Sequence, residues 1–232
     1  MDDRIIADLD AAGWRVQLRR DGRYDLELIA APGQMHSRSV TWNDIETHWR
    51  SRRRVAVLCA TAKSIYKTLP HLDVYDARRD ARTFGGGCPV IAHPPCRAWS
   101  AFTAHQAKPE PGERELGLWC VEQVRTHGGI LEQPAYSRLF QTAGLPGRNE
   151  SDSMGFTVEV WQGWWGTPTR KRTWLYFAHM PFNAADLELP FCLLSPNGDC
   201  ERWKQLSYAA RSATPLSFAR WLVAYARCVR RI

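Results

Sequence analysis

At 232 residues with 44% hydrophobic content, the chain can bury a sizeable core, and no apolar run approaches the roughly 20 residues of a membrane-spanning helix. A cytoplasmic protein with no membrane partner is expected. Its 31 lysines and arginines against 24 acids leave a net +7, which suits a polyanionic partner, with basic clusters at residues 52–54, 78–79, 170–172 and 230–231. Seven cysteines, at positions 59, 88, 96, 120, 192, 200 and 228, are an odd number without a paired C-x-x-C spacing. That points away from a disulfide framework and from structural zinc, and towards a reducing compartment.

Residues 2–12 read as a short helix ended by Gly13. Two alternating strands, 14–18 and 24–29, flank Asp21-Gly22 as a hairpin, and a third is expected over 36–40. Thr41 or Asn43 can cap a helix to about Arg50. Residues 1–52 therefore form a small α+β appendage, and 53–232 form the main domain. There, 55–60 is an apolar run of the buried parallel type, followed by a short helix near 64–69 and a second strand over 72–76. This pattern opens a Rossmann-like doubly wound α/β sheet. A helix over 113–127 should bury Leu116, Leu118, Trp119, Val121 and Val124 and stop at Gly128-Gly129. Strands over 157–161 and 173–177 read as a closing hairpin, and an amphipathic helix follows Thr214-Pro215 to about Val229.

Between these elements, the apolar run 88–92 empties into His93-Pro94-Pro95-Cys96. Two prolines fix φ and supply no N–H, so the strand ends and a thiol stands in a stiff turn at its carboxyl end. Open α/β sheets place their ligands at that edge. Cys96 is either a nucleophile there or a small buried hydrophobe. The next strand, Ile130-Leu131, delivers Glu132 to the same edge, with capping of a following helix as the alternative role. Eleven tryptophans pack a core or offer flat faces to unstacked bases.

Residues 93–100, His-Pro-Pro-Cys-Arg-Ala-Trp-Ser, resemble the Pro-Cys loop of the DNA cytosine-5 methyltransferases. Downstream, Ile130-Leu131-Glu132-Gln133-Pro134 resembles that family's strand ending in Glu-Asn-Val or Glu-Asn-Pro. Residues 166–177 are similar to its Gly-x-Pro-Gln-x-Arg-x-Arg turn and strand, with Thr169 in place of the glutamine and Arg170 and Arg172 one residue nearer Pro168. The resemblance implies a sheet of the cytosine-5 methyltransferase type, DNA as partner, and a flipped-out or single-stranded cytosine as target. It also implies an attacking Cys96, a base-reading Glu132, and Arg170 with Arg172 on the base carbonyl and backbone. His93, Pro95, Arg97, Trp99 and Ser100 would line the substrate, with His93 and Arg97 lowering the Cys96 pKa. Pro94, Asp76 and Asp80 would meet the cofactor, S-adenosylmethionine, the two acids at its ribose and adenine. Residues 179–211 stand where the family carries a larger target-recognition region, and a compact enzyme of this kind would suit a phage.

Where the resemblance places a glycine-rich cofactor loop, this chain has Ala60-Thr61-Ala62-Lys63-Ser64. Glycines let backbone approach a ligand closely. Their absence leaves methylenetetrahydrofolate as a second donor, giving a hydroxymethylase, and a catalytically inactive DNA-binding protein as a further reading. A free nucleotide as substrate stays open.

Overall fold

The computed structural model describes residues 5–6, 14–28, 35–46, 53–101, 108–166, 171–190 and 213–230. The chain divides into two compact units, Met1–Arg53 and Arg54–Ile232, with the boundary inside the first arginine run.

In the first unit, alternation around Asp21-Gly22 produces a hairpin of β1 (Trp14–Leu18) and β2 (Tyr24–Leu28), with Gly22 at φ 78° in the turn. β3 (Met35–Val40) adds to β2, giving a three-stranded antiparallel sheet. Of the two expected caps, Thr41 is the one used. Its hydroxyl accepts the Asp44 N–H at 3.2 Å, and the Asp44 carboxylate accepts the Thr41 N–H at 2.8 Å. Of the helix expected over 2–12, only Ile5 and Ile6 are described, both helical.

The second unit is α/β. Its strands are β4 (Val55–Leu58), β5 (Leu72–Val74), β6 (Val90–Ala92), β7 (Gly129–Pro134), β8 (Gly155–Trp161) and β9 (Arg172–Ala178). They form a mixed sheet of order β5-β4-β6-β7-β9-β8. The first four are parallel, and β9 runs antiparallel to both β7 and β8. Chain order reverses beside β4, which has β5 on one side and β6 on the other, the arrangement at whose carboxyl strand ends open α/β sheets bind their ligands.

Period-two alternation sends successive side chains to opposite faces. Val55, Val57, Ile91, Ile130, Leu175 and Phe177 pack with Phe218, Leu222 and Val223 of helix α3 (Leu216–Ala226). Ala56, Leu58, Val90, Ala92, Leu131 and Tyr176 pack on the other face with Cys120, Val121 and Val124 of α1 (Glu113–His127). Helix α2 (Arg138–Thr142) joins that second layer through Leu139 and Phe140. The sequence reading of α1 needs one correction: Leu118 is exposed at 38%, and Gly117 and Cys120 complete the buried stripe. The helix expected near 64–69 is a 3-10 turn, Ile65–Thr68, capped by Ser64. Among the described residues no helix is long and apolar enough to cross a membrane.

Gly129 sets the spacing between β6 and β7. Its φ is +137°, and a Cβ there would lie 1.9 Å from the Val90 carbonyl oxygen in the paired strand. Gly129→Ala is therefore expected to lower unfolding free energy by about 2–4 kcal/mol, read from the urea midpoint; an unchanged midpoint would refute this account of the strand pairing.

Candidate active site

β6 ends at Ala92, yet the His93 N–H still donates to the Leu58 carbonyl at 3.0 Å, so His93 is held in line with the sheet. Pro94 and Pro95 then turn the chain, and Cys96 opens a 3-10 turn over Arg97–Trp99. Two contacts fix this turn. From β7, the Gln133 amide donates to the Pro94 carbonyl at 2.6 Å, and Ser137 in turn donates to Gln133 at 3.1 Å. Below it, Trp99 is fully buried at 0% exposure over Gly117, where a Cβ would lie 2.3 Å from the indole nitrogen. Trp99 anchors the turn; it offers no face to a substrate, contrary to the sequence expectation. Arg97 is likewise redirected. It pairs with buried Glu113 and, at 3.6 Å, with Glu110. Pro94 is buried in the turn, while Pro95 and Ser100 are partly exposed beside Cys96.

Glu132 lies near the end of β7, on the face that carries Ile130. It does not cap α2, whose first turn is capped by Ser137 through the Leu139 N–H at 3.3 Å. Instead its carboxylate is ringed by polar groups. His93 Nδ1 lies 3.1 Å from Oε2, the Gln162 amide donates to Oε1 at 3.0 Å, and Lys171 Nζ stands 3.8 Å from Oε1. The other ring nitrogen of His93 is 3.0 Å from the hydroxyl of buried Tyr66. Burial, then the Glu132 charge, push the Tyr66 hydroxyl well above the usual range, so it keeps its proton beside His93, and the Glu132 carboxylate can only accept. The Nδ1–H of His93 then points at Glu132.

Burial alone would raise the Glu132 pKa. Lys171, the His93 hydrogen bond and charge, and the Thr173 hydroxyl outweigh burial and hold it down to about 2. Glu132 is thus a carboxylate in the folded protein. The Cys96 thiol moves the other way. Burial raises its pKa most, the Glu132 charge adds to this, and Lys171 lowers it. His93 and Arg97, expected to lower the Cys96 pKa, are engaged by Glu132 and Glu113.

Lys171 is therefore the cation of this site. Arg172, the next residue, emerges on the opposite face of β9, where it pairs with Glu159 at 2.9 Å; the expectation that it holds the base is corrected. Arg170 lies outside the described residues. Sequence reasoning passed over Lys171, Gln162 and Tyr66. The clue for Lys171 was strand parity: it shares a face with Thr173, Leu175 and Phe177.

The two acids expected at a cofactor stand apart from Glu132. Asp76 follows β5, and its oxygens are engaged internally: Oδ1 accepts the N–H groups of Arg78 and Arg79 at 2.9 and 3.1 Å, and Oδ2 is paired with Lys67. The Lys67 hydrogen bond leads the causes that lower its pKa to about 2. Lys67 also donates to the Ala62 carbonyl at 2.9 Å, tying the loop after β4 to the end of β5. Asp80 is exposed and caps the turn Ala81–Thr83 through the Arg82 N–H at 3.0 Å. No family model matches the chain, and no curated protein and no solved structure matches it.

Two outcomes follow from the charges. Alkylation of Cys96 by iodoacetamide, followed by peptide mass spectrometry, should show a titration midpoint above that of an ordinary thiol. Glu132→Gln should shift it down and Lys171→Met up, and shifts of the opposite sign would refute the assignment. The depressed Glu132 pKa stabilises the fold above its ordinary value of 4.5. That contribution, on the order of 3 kcal/mol, is lost as pH falls through the folded value. Urea unfolding from pH 6 to pH 2 should show the loss, and Glu132→Gln should flatten it.

Proposed function

We propose that this chain modifies carbon 5 of cytosine in DNA, adding a one-carbon group through a covalent Cys96 adduct, as the cytosine-5 methyltransferases do. One observation carries the reading. The three segments of the resemblance, around Cys96, Glu132 and Lys171, reach the same end of one mixed sheet, with the thiol in the electrostatic reach of the other two.

Carbon 5 of cytosine is a poor nucleophile until the ring is saturated at carbon 6. Glu132 accepts hydrogen bonds from the exocyclic amine and from ring nitrogen 3 once protonated, so an ionised carboxylate suits this base. The Cys96 proton leaves through Glu132 to nitrogen 3. The sulfur pair forms the bond to carbon 6, and the former double-bond pair becomes available at carbon 5. Lys171 steadies the thiolate while it exists. His93, held by Tyr66, keeps Glu132 aimed. Once an electrophile has added at carbon 5, loss of the carbon 5 proton and expulsion of Cys96 Sγ restore the ring's double bond, and the nitrogen 3 proton returns through Glu132 to the sulfur.

The donor, S-adenosylmethionine or methylenetetrahydrofolate, supplies that electrophilic carbon. The residues do not fit S-adenosylmethionine as the resemblance implies: the loop after β4 has no glycine, and both oxygens of Asp76 are engaged by this chain. The glycine-free loop leaves methylenetetrahydrofolate, and a hydroxymethylated product, as the second donor.

Addition to carbon 6 can be tested without any donor, because solvent then supplies the hydrogen at carbon 5. In deuterium oxide the wild-type protein should place deuterium on carbon 5 of cytosine in DNA. Cys96→Ser should lose the exchange by roughly 10³-fold or more and Glu132→Gln by roughly 10²-fold. Adding each donor in turn and identifying the nucleosides by mass spectrometry distinguishes methylcytosine from hydroxymethylcytosine. DNA binding with no exchange at all would replace this reading with that of an inactive DNA-binding protein.

A further inference from the structure

On the opposite side of the same rim lies a group of side chains that the cytosine chemistry does not use. Arg172 sits between two aromatic rings, its guanidinium carbon 5.2 Å from the centroid of Tyr136 and 5.3 Å from that of Trp161. Glu159 locks this stack, accepting from Arg172 at 2.9 Å and from the Trp174 indole at 3.0 Å, with Arg148 at 3.4 Å. Trp174 also packs its ring against Tyr136 with centroids 5.3 Å apart. The arrangement is rigid, yet Tyr136 remains 40% exposed, one of few large hydrophobic side chains so placed among the described residues. Its backbone is in the left-handed region at φ 66°, an unusual conformation for a bulky residue.

Strand register joins this stack to the candidate site. Trp161 precedes Gln162, Arg172 follows Lys171, and Tyr136 lies four residues beyond Glu132. Trp161 and Arg172 are directly paired, and the Ala135 N–H donates to the Arg172 carbonyl at 3.0 Å. Arg138, exposed two residues after Tyr136, together with Arg148, Arg172 and Lys171 outnumbers the carboxylates Glu132 and Glu159 along the rim. An exposed aromatic ring beside cations is the chemistry that holds single-stranded nucleic acid, because every base has a flat face and every nucleotide a phosphate.

We infer that Tyr136, braced by Arg172, Trp161 and Trp174, is a stacking platform for a base next to the target cytosine in single-stranded DNA. This rests on the proposed cytosine chemistry for the choice of partner. A strand crossing the rim places one base at Glu132 and a neighbour on Tyr136.

The test is binding of a single-stranded oligonucleotide containing one cytosine between thymines, and of the same oligonucleotide with both flanking bases removed. Tyr136→Phe keeps the ring and should bind as wild type. Tyr136→Gly and Tyr136→Asn suit the left-handed backbone and remove the ring; each should bind the intact oligonucleotide about ten-fold more weakly. On the abasic oligonucleotide, wild type and all three variants should bind alike. Equal binding of wild type and Tyr136→Gly to the intact oligonucleotide would overturn the platform. So would a loss that persists on the abasic one. Deuterium exchange at carbon 5 with no Tyr136 effect would remove the platform and leave the cytosine chemistry standing. A Tyr136 effect without exchange would do the reverse.

Discussion

A carboxylate buried at the end of a β-strand is the constraint around which the second unit is arranged. An isolated charge in an apolar interior is prohibitively costly, and such a group ordinarily takes up a proton instead. Glu132 stays ionised because four other segments converge on it: His93 from the end of β6, Tyr66 behind His93, Gln162 after β8, and Lys171 with Thr173 at the start of β9. Removing one of these partners would leave charge uncompensated, so the network fixes the relative positions of those segments. The antiparallel insertion of β9 between β7 and β8 is what brings the last three within reach.

The same topology gives the rim two chemically different sides. In β9, Thr173, Leu175 and Phe177 face α3, while Trp174 and Tyr176 face α1 and α2. At the strand's start this alternation separates Lys171, beside Glu132, from Arg172, beside Glu159. Neighbouring cations in the sequence thus pair with different carboxylates on the two sides of the rim. A basic cluster in the sequence becomes two groups, one beside a buried carboxylate and one within an aromatic stack.

Much of the fold could be read from the chain because its signals are local. Asp21-Gly22 makes the hairpin, Gly128 ends α1, and the apolar runs at 55–58, 90–92 and 129–131 become parallel strands. The positions of Cys96 and Glu132 were legible for the same reason: each follows an apolar run that must end at the sheet's edge. Their partners were not. Arg97 reads as a neighbour of Cys96 but extends sideways to Glu113, and Trp99 reads as a substrate face but fills a space that Gly117 leaves open in α1. Both outcomes are long-range packing choices with no local signature. Asp76 was read as the last residue of its strand and lies two residues beyond it, while its occupation by Lys67 depends on how a glycine-free loop folds back.

The opposed shifts of Cys96 and Glu132 bear on the chemistry proposed for the site. A thiol that keeps its proton beside a carboxylate that has lost its own is a stable, unreactive pair. Lys171 favours both anions, but burial and the Glu132 charge dominate at sulfur, so the negative charge resides on the carboxylate. In the proposed cytosine chemistry, an entering base with a proton-accepting ring nitrogen would change that balance, because the proton held at sulfur gains a destination and the charge left behind is consumed in a bond to carbon. Activation of the nucleophile then coincides with arrival of the base. A thiol made permanently reactive by a nearby cation would be exposed to every oxidant and electrophile in the cell, whereas one released by its own substrate is protected until needed.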